Sequence, residues 1–401
     1  MHPPQRDHPG PFTRLLLLWL AGAALRLTLL AVPSLIPLIH VELGLSETEV
    51  GVLSGLPAVL FALAAVPGSL LIARLGARAT VIVGLLLCAL AGGLRGAATD
   101  IALLDVTTVL MALGIAFMQP ALPPLVREWM PNRIGLATAV YTNGLVVGEI
   151  LPVALTIPFV LPLVAMSWRW GLALWSLPVL LITVLFAWLG PHDLERGREV
   201  TPARWWPDWS NPLVWRLGAM LGAANACYFG TNAFLPDYLH QLGRSDLVSP
   251  ALSALNIGQL PASFVLLAVA GRLERRVWPY LAGGVTLLMA LMGIALSSGA
   301  MIIVAAGTIG FAAAGMLVLM LALPPLLSTP GDTHRLTAAM FTVSYSCAML
   351  VSVVSGLAWD LTKVAAVTFA PMGLSAVALI AFAPGVAVKR AVPRMGGNPM
   401  D

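Results

Sequence analysis

Charge is scarce in this chain of 401 residues: Asp, Glu, Lys and Arg make up 10% of it, while 59% is hydrophobic. Soluble domains carry about 25% charged residues, so a water-soluble globule with a large core is excluded. Cysteine is almost absent. Cys88, Cys227 and Cys347 each sit inside an apolar run, with neither an even count nor metal-ligand spacing. That removes a disulfide framework and a zinc site. The sequence holds no GxGxxG, no P-loop and no HExxH, so a dinucleotide enzyme, an ATP-driven pump and a zinc hydrolase are all unsupported. The histidines, His2, His8, His40, His192, His240 and His334, fall at tails or helix ends without metal spacing. No cofactor and no metal are expected.

What the chain has instead is long apolar stretches, with a mean hydropathy of +0.91. A bilayer span needs about 20 mostly apolar residues. Twelve runs reach that class, at roughly 14–40, 47–72, 79–97, 101–125, 134–158, 168–190, 212–238, 247–270, 279–297, 299–325, 336–358 and 364–388. The Pro-rich start, 1–13, reads as a tail. The run after it is too long for a signal peptide and lacks a small-residue cleavage site, so it reads as the first retained span. Small-residue pairs four apart, Gly51/Gly55, Gly144/Gly148 and Gly218/Gly222, suit close helix approach in lipid. Ser46 with Glu49 forms a capping-box start for the second run.

A formal charge of +4 with a pI near 9.2 raises the question of nucleic acid, but the placement of the charges answers it. If the chain starts in the cytoplasm, Arg95, Arg169, Arg244 and Lys363 fall outside, Arg26 falls in the membrane, and the other 17 of the 22 Lys and Arg fall inside. That is the positive-inside pattern of a multi-pass protein with both termini cytoplasmic, not a DNA-binding face. Arg272, Arg275 and Arg276 belong to this inner set and suit anionic lipid headgroups.

The one long polar connection, 191–211, divides the runs into six and six: an N-terminal bundle over 14–190, a C-terminal bundle over 212–388 and a tail at 389–401. The halves repeat at an offset near 200. Leu43-Gly44-Leu45-Ser46 returns as Leu242-Gly243-Arg244-Ser245, each after a histidine. Leu56-Pro57-Ala58 returns as Leu260-Pro261-Ala262, and Leu122-Pro123-Pro124-Leu125 as Leu323-Pro324-Pro325-Leu326. Ala139-Val140-Tyr141-Thr142 parallels Ala339-Met340-Phe341-Thr342. Four matches in the same order indicate parallel repeats, the construction of one large transporter class.

The loop after the second run, Arg74-Leu75-Gly76-Ala77-Arg78, resembles the signature between helices 2 and 3 of the major facilitator superfamily. Ala73 stands where that signature has an aspartate. Three further tracts resemble the cyanate/nitroimidazole-transporter branch. The first is the membrane arginine followed by Pro33, Pro37 and the LGLS tract at 43–46. The second is Pro123-Pro124-Leu125-Val126-Arg127 with Pro131, Arg133, Gly135-Leu136 and Tyr141-Thr142-Asn143-Gly144-Leu145. The third is Trp168-Arg169-Trp170. The resemblance implies an all-α membrane protein of twelve transmembrane helices in two pseudo-symmetric six-helix bundles. It also implies a secondary transporter of a small anionic or polar solute, working in the bacterial inner membrane as a monomer. The loop residues Arg74, Gly76 and Arg78 are expected to gate.

Two formal charges lie deep in the membrane, Arg26 and Glu149. At about 1.5 Å per residue, Arg26 is roughly 18 Å past Arg14 and Glu149 roughly 21 Å past Gly135, so they share a depth. Intramembrane charges are costly and mark solute or ion pathways. In one reading Arg26 binds the solute's negative end and Glu149 balances it or carries a coupling proton. In the other, the two form an ion pair that only holds two helices together. The positions 200 residues on are Ala226 and Met349, so the charge is all in the first half. Asn225, Tyr228 and Asn232 share one face of the seventh span and suit a cavity lining. Tyr141, Thr142, Gln119 and Tyr345 are weaker candidates, as are Asn256 and Gln259, for which interhelical bonding serves equally well. Pro33 and Pro37 are expected to kink the outer end of the first helix. Two other functions stay open: a proton-driven multidrug exporter with Glu149 as the coupling acid, and a membrane sensor or intramembrane enzyme. The last lacks an attached soluble domain and a nucleophile–base pair.

Overall fold

The computed structural model describes residues 10–45, 47–191, 204–297, 299–329 and 331–386. The expected cap at Ser46, most of the central connection, the last tail and the side chains of Pro37, His40 and Glu49 lie outside the described residues. Twelve membrane-crossing segments follow in order. They are α1 (Pro11–Leu27, resumed by Ile36–Leu43), α2 (Glu47–Leu75), α3 (Ala77–Leu94), α4 (Ile101–Trp129), α5 (Ile134–Leu155) and α6 (Trp168–Leu189). The second half holds α7 (Pro212–Gln241), α8 (Val248–Ile257, then Gln259–Leu273), α9 (Trp278–Leu296), α10 (Ala300–Leu327), α11 (Thr333–Thr362) and α12 (Phe369–Phe382). Among the described residues no strand is present.

Among the described residues, nine of these segments are long and apolar enough to span a bilayer by themselves, and within α2 the stretch Val59–Leu75 forms a shorter apolar helix; α1 and α7 do not reach that class. Both α1 and α7 carry polar residues singled out above. α1 is broken after Arg26, and the Asn225–Asn232 stripe lowers the hydropathy of α7. Helices that are poor membrane spans alone need protein around them, so they face the middle of the bundle.

The pairing of helices repeats between the halves. In the first half α1 packs on α5 and α6, α2 on α4, and α3 on α4 and α6; in the second, α7 packs on α11 and α12, α8 on α10, and α9 on α10 and α12. The contacts between the halves obey the same exchange, α2 with α11 and α5 with α8. Glycines allow the closest crossings. A Cβ at Gly22, Gly144 or Gly148 would strike the backbone of Tyr141, Trp19 or Ala23 across the α1–α5 contact. Gly222 meets Ser344 and Cys347 across the equivalent α7–α11 contact.

Two helices are discontinuous where proline removes a donor. Pro33 offers no N–H to the carbonyl of Leu29, and α1 gives way to a turn over 28–32 and a short 3-10 stretch, Pro33–Leu35. The expected kink near Pro33 and Pro37 is therefore a break, and it starts nearer the middle of the membrane, just past Arg26. In α8 the break is at Gly258, three residues before Pro261, where the Gly307 carbonyl leaves no room for a Cβ.

The face where α1 begins and α12 ends, here the terminal face, is sealed. Arg127 at the end of α4 donates to the Ser328 carbonyl and to Thr333 Oγ1 at the start of α11. Asn143 on α5 donates to Ser263 Oγ on α8 at 3.0 Å. Ser69 and Arg335 hold the backbone carbonyls of Trp205 and Trp206, so the described end of the central connection straps α2 to α11. Glu274, just beyond α8, packs against Gly135 at the start of α5, with one carboxylate oxygen unpartnered. Burial pushes its carboxyl up to about 7, against a smaller opposing pull from Arg275. Tyr280 on α9 donates to its backbone carbonyl, and α5 faces it with glycine.

Below about pH 7 the sealed face therefore holds a proton that an opened, hydrated face, with an ordinary carboxyl, would release. Closure is favoured while Glu274 is protonated and weakens as pH rises through about 7. Spin labels at the terminal-face ends of α5 and α8 should accordingly report a wider separation at pH 8 than at pH 6, and Glu274→Gln should hold the narrow distance at both. A pH response of the variant equal to that of the parent would remove Glu274 from the account.

Candidate solute site

The sealed half ends at a polar junction in the middle of the bundle. Arg26, in the last turn of α1 before the break, donates from Nε to Glu149 Oε1 on α5 at 3.0 Å. Both side chains are nearly covered, at 9% and 14% exposure, so this is a buried pair rather than a surface one. The α1–α5 glycines place it, because they bring the two helices close enough for short reach. The guanidinium also lies 5.8 Å from the centre of the Phe61 ring on α2. Its Nη1 is buried with no hydrogen-bond partner. A buried guanidinium N–H left unpaired costs of the order of 1–3 kcal/mol or more, and that cost disappears when an acceptor arrives.

From Glu149 a chain of polar groups runs into the second half. Gln259 Nε2 lies 3.3 Å from Glu149 Oε2 and 2.8 Å from the Tyr228 hydroxyl. Tyr228 donates to Asn256 Oδ1 at 2.6 Å, and Asn256 Nδ2 donates to Asn232 Oδ1 at 3.2 Å. Asn256 and Gln259, three residues apart on α8, lie on one face and meet the same residue of α7. On the other side Gln119 of α4 donates to the Tyr345 hydroxyl of α11 at 2.8 Å, and Asn225 donates to Ser344 Oγ at 2.9 Å.

Two spaces meet at Arg26 and Glu149. A small chamber of about 40 Å³ lies on the terminal-face side, lined by Gln119, Tyr141, Asn225, Tyr228 and Tyr345 among others. The Tyr141 hydroxyl in its wall is buried without a partner. A second cavity of about 560 Å³ runs toward the far face along α1, α2, α7 and α11. Its wall includes Leu29, Leu30, Phe61, Asn232, Asn256 and Met349. The first space has room for about one water, and the second for a small organic molecule.

All eight residues marked from the sequence as lining a site, Arg26, Gln119, Tyr141, Glu149, Asn225, Tyr228, Asn232 and Tyr345, border one or both spaces. Thr142 does not, since its hydroxyl turns back to the Thr138 carbonyl. Asn256 and Gln259 were equally legible as interhelical bonds; in the structure they are both that and cavity wall. The Gly-x-x-Pro spacing at Gly258–Pro261, a sign of a broken span, is the signal that could have promoted them. Phe61 and Phe229 gave no signal of their own. The loop residues are elsewhere: Arg74 is exposed, Gly76 makes a tight turn at φ 85°, and Arg78 donates to the Ala187 carbonyl at the end of α6. That bond lies within the first half. The Trp168-Arg169-Trp170 tract is a far-face clasp, in which Trp168 and Arg169 both donate to Glu42 at the outer end of α1.

The arrangement is a cavity with a buried cation at its inner end and amides on the opposite wall, one that can bind and orient a small solute. The model of the Major Facilitator Superfamily matches residues 18–355. The cyanate transport protein CynX of Escherichia coli (strain K12) is 30% identical over 65% of this chain and 68% of that protein. A 2-nitroimidazole transporter of the same organism is 26% identical over 58% of this chain and 59% of its own length. Among solved structures, the proton:xylose symporter XylE bound to 6-bromo-6-deoxy-D-glucose superposes with a TM-score of 0.79, over 94% of this chain and 96% of that one, at 12% identity. That likeness speaks for the fold alone.

Proposed function

The chain belongs to the major facilitator superfamily, and from that premise we propose that this secondary transporter moves a small anionic or polar solute past Arg26 by rocking its two halves. The observation that carries the proposal is the unpartnered Nη1 of a buried arginine where two spaces meet. A guanidinium held that way is a preorganised donor for an oxygen or nitrogen bearing negative charge. The names of the two relatives agree in kind, since cyanate and a nitro-heterocycle both present electron-rich terminal atoms. The amides of Asn232, Asn256 and Gln259 would read the solute's shape from the second half. With the arginine-rich terminal face in the cytoplasm, the conformation described is sealed inside and open outward. The two halves complete one pathway, so a monomer suffices.

A second reading, proton-driven export of larger lipophilic compounds, draws on the apolar wall of the outer cavity: Leu29, Leu30, Val32, Leu53, Val59 and Met349. One experiment separates the two. Purified protein is screened by thermal shift with cyanate, small carboxylates and 2-nitroimidazole, and its transport is followed in liposomes with and without a pH gradient. Stabilisation by a small anion or nitro-heterocycle supports the proposal. If only bulky lipophilic compounds stabilise the protein, and Glu149→Gln abolishes the response to the gradient while leaving exchange, the exporter reading replaces it.

A further inference from the structure

Besides Arg26 and Glu149, one charged side chain borders the outer cavity among the described residues: Arg95, the residue that follows α3 and opens the 3-10 turn Arg95–Ala97. The sequence reading counts it among the far-face topology charges. In the structure it is fully buried. Its Nη2 donates to the Thr28 carbonyl at 2.5 Å, a carbonyl in the α1 break two residues past Arg26. Its Nε and Nη1 are buried without any hydrogen-bond partner, and no described carboxylate lies within ion-pair distance. Cys88, whose Sγ is 3.2 Å from Thr28 Oγ1, lies in the same corner and brings no formal charge.

We propose that Arg95 is the second half of the solute site, a carboxylate-free guanidinium in the cavity wall that makes the site selective for a monovalent anion. The charge count carries the argument. Arg26 and Glu149 cancel as a pair, so on its own that end of the cavity favours a polar solute without demanding a charge. Arg95 adds one uncompensated positive charge to the same wall. In a low-dielectric enclosure such a charge is balanced best by one negative charge, and a dianion or a cation leaves the loaded site charged again. Its side chain is covered, so the charge acts on a bound anion through its field across the wall and not through a direct hydrogen bond. The α1 break couples the two arginines mechanically, since Arg95 holds the backbone immediately beyond Arg26.

The inference rests on the reading of Arg26 as a solute residue, and the test keeps the two apart. Purified protein is titrated by calorimetry with benzoate, its neutral isostere benzamide, cyanate and 2-nitroimidazole. The parent protein should bind at least one of the two monoanions and should prefer benzoate to benzamide by at least tenfold. Arg95→Gln can still donate to the Thr28 carbonyl but has no charge. It should lose at least tenfold for the monoanions while keeping its affinity for neutral benzamide within threefold, and Arg95→Lys should fall between.

If the parent binds monoanions and Arg95→Gln binds them equally well, the role of Arg95 is overturned and the Arg26 site stands. If the parent binds neither monoanion nor neutral probe, the reading of the cavity as a small-solute site fails with it. Should both variants fail to fold, the benzoate-to-benzamide ratio of the parent still decides, and a ratio near one overturns the proposal.

Discussion

An Arg26→Ala variant is expected to lose at least about thirtyfold in affinity for the solute, the equivalent of about 2 kcal/mol for a truncated buried charge contact. It should also fold less stably than the parent. Removing one member of a buried pair leaves the other charge uncompensated, at a cost of about 3–5 kcal/mol. The two losses can be separated. Replacing both charges, Arg26→Met with Glu149→Gln, removes the stranded carboxylate and should recover most of the melting temperature, because apolar replacement of a buried pair is often neutral. It should not recover binding. If Arg26→Ala binds and transports as the parent does, or if the double variant regains affinity along with stability, the arginine is an architectural contact and the solute site lies elsewhere.

A second large effect is expected from Gly144→Val at the α1–α5 crossing. The added atoms would meet the backbone of Trp19, not a side chain that can turn away, so α1 must move as a body. Overpacking in a well-filled interior costs about 1–3 kcal/mol, and a collision with backbone belongs at the upper end. The displacement would also carry Arg26 away from Glu149, so binding should fall with stability. Gly315→Ala on α10 is the matched control, since nothing lies within 4 Å of its added methyl group. That change should leave the melting temperature level or slightly higher, since alanine is the better helix former. Equal melting temperatures for Gly144→Val and the parent would contradict the close crossing.

The sequence carried most of the fold, and for definite reasons. Lipid requires every span to satisfy its own backbone, so a run of about 20 apolar residues is nearly a helix by necessity. The repeat at Leu122-Pro123-Pro124-Leu125 and Leu323-Pro324-Pro325-Leu326 then fixes which helix in one half corresponds to which in the other. The polar members of the site were legible for the same reason: Arg26, Glu149 and the Asn225–Asn232 stripe stand out against an apolar background. What did not stand out was anything whose meaning depends on depth. Arg95 sits at the end of its run, where a charge is ordinarily wet, and only the packing of Thr28 and α6 over it makes it buried. Phe61 and Phe229 are invisible among other apolar residues. The break in α1 was misplaced outward because proline marks where a donor is lost, whereas the helix unwinds on the preceding turn.

The contact between Gln259 and Glu149 joins the two halves across the middle of the protein. A carrier whose halves were tied only by its cargo would stall when empty and could do no more than swap one molecule for another. Here the glutamine makes such a tie from the chain's own side chains, and any separation of the halves at this depth has to break it.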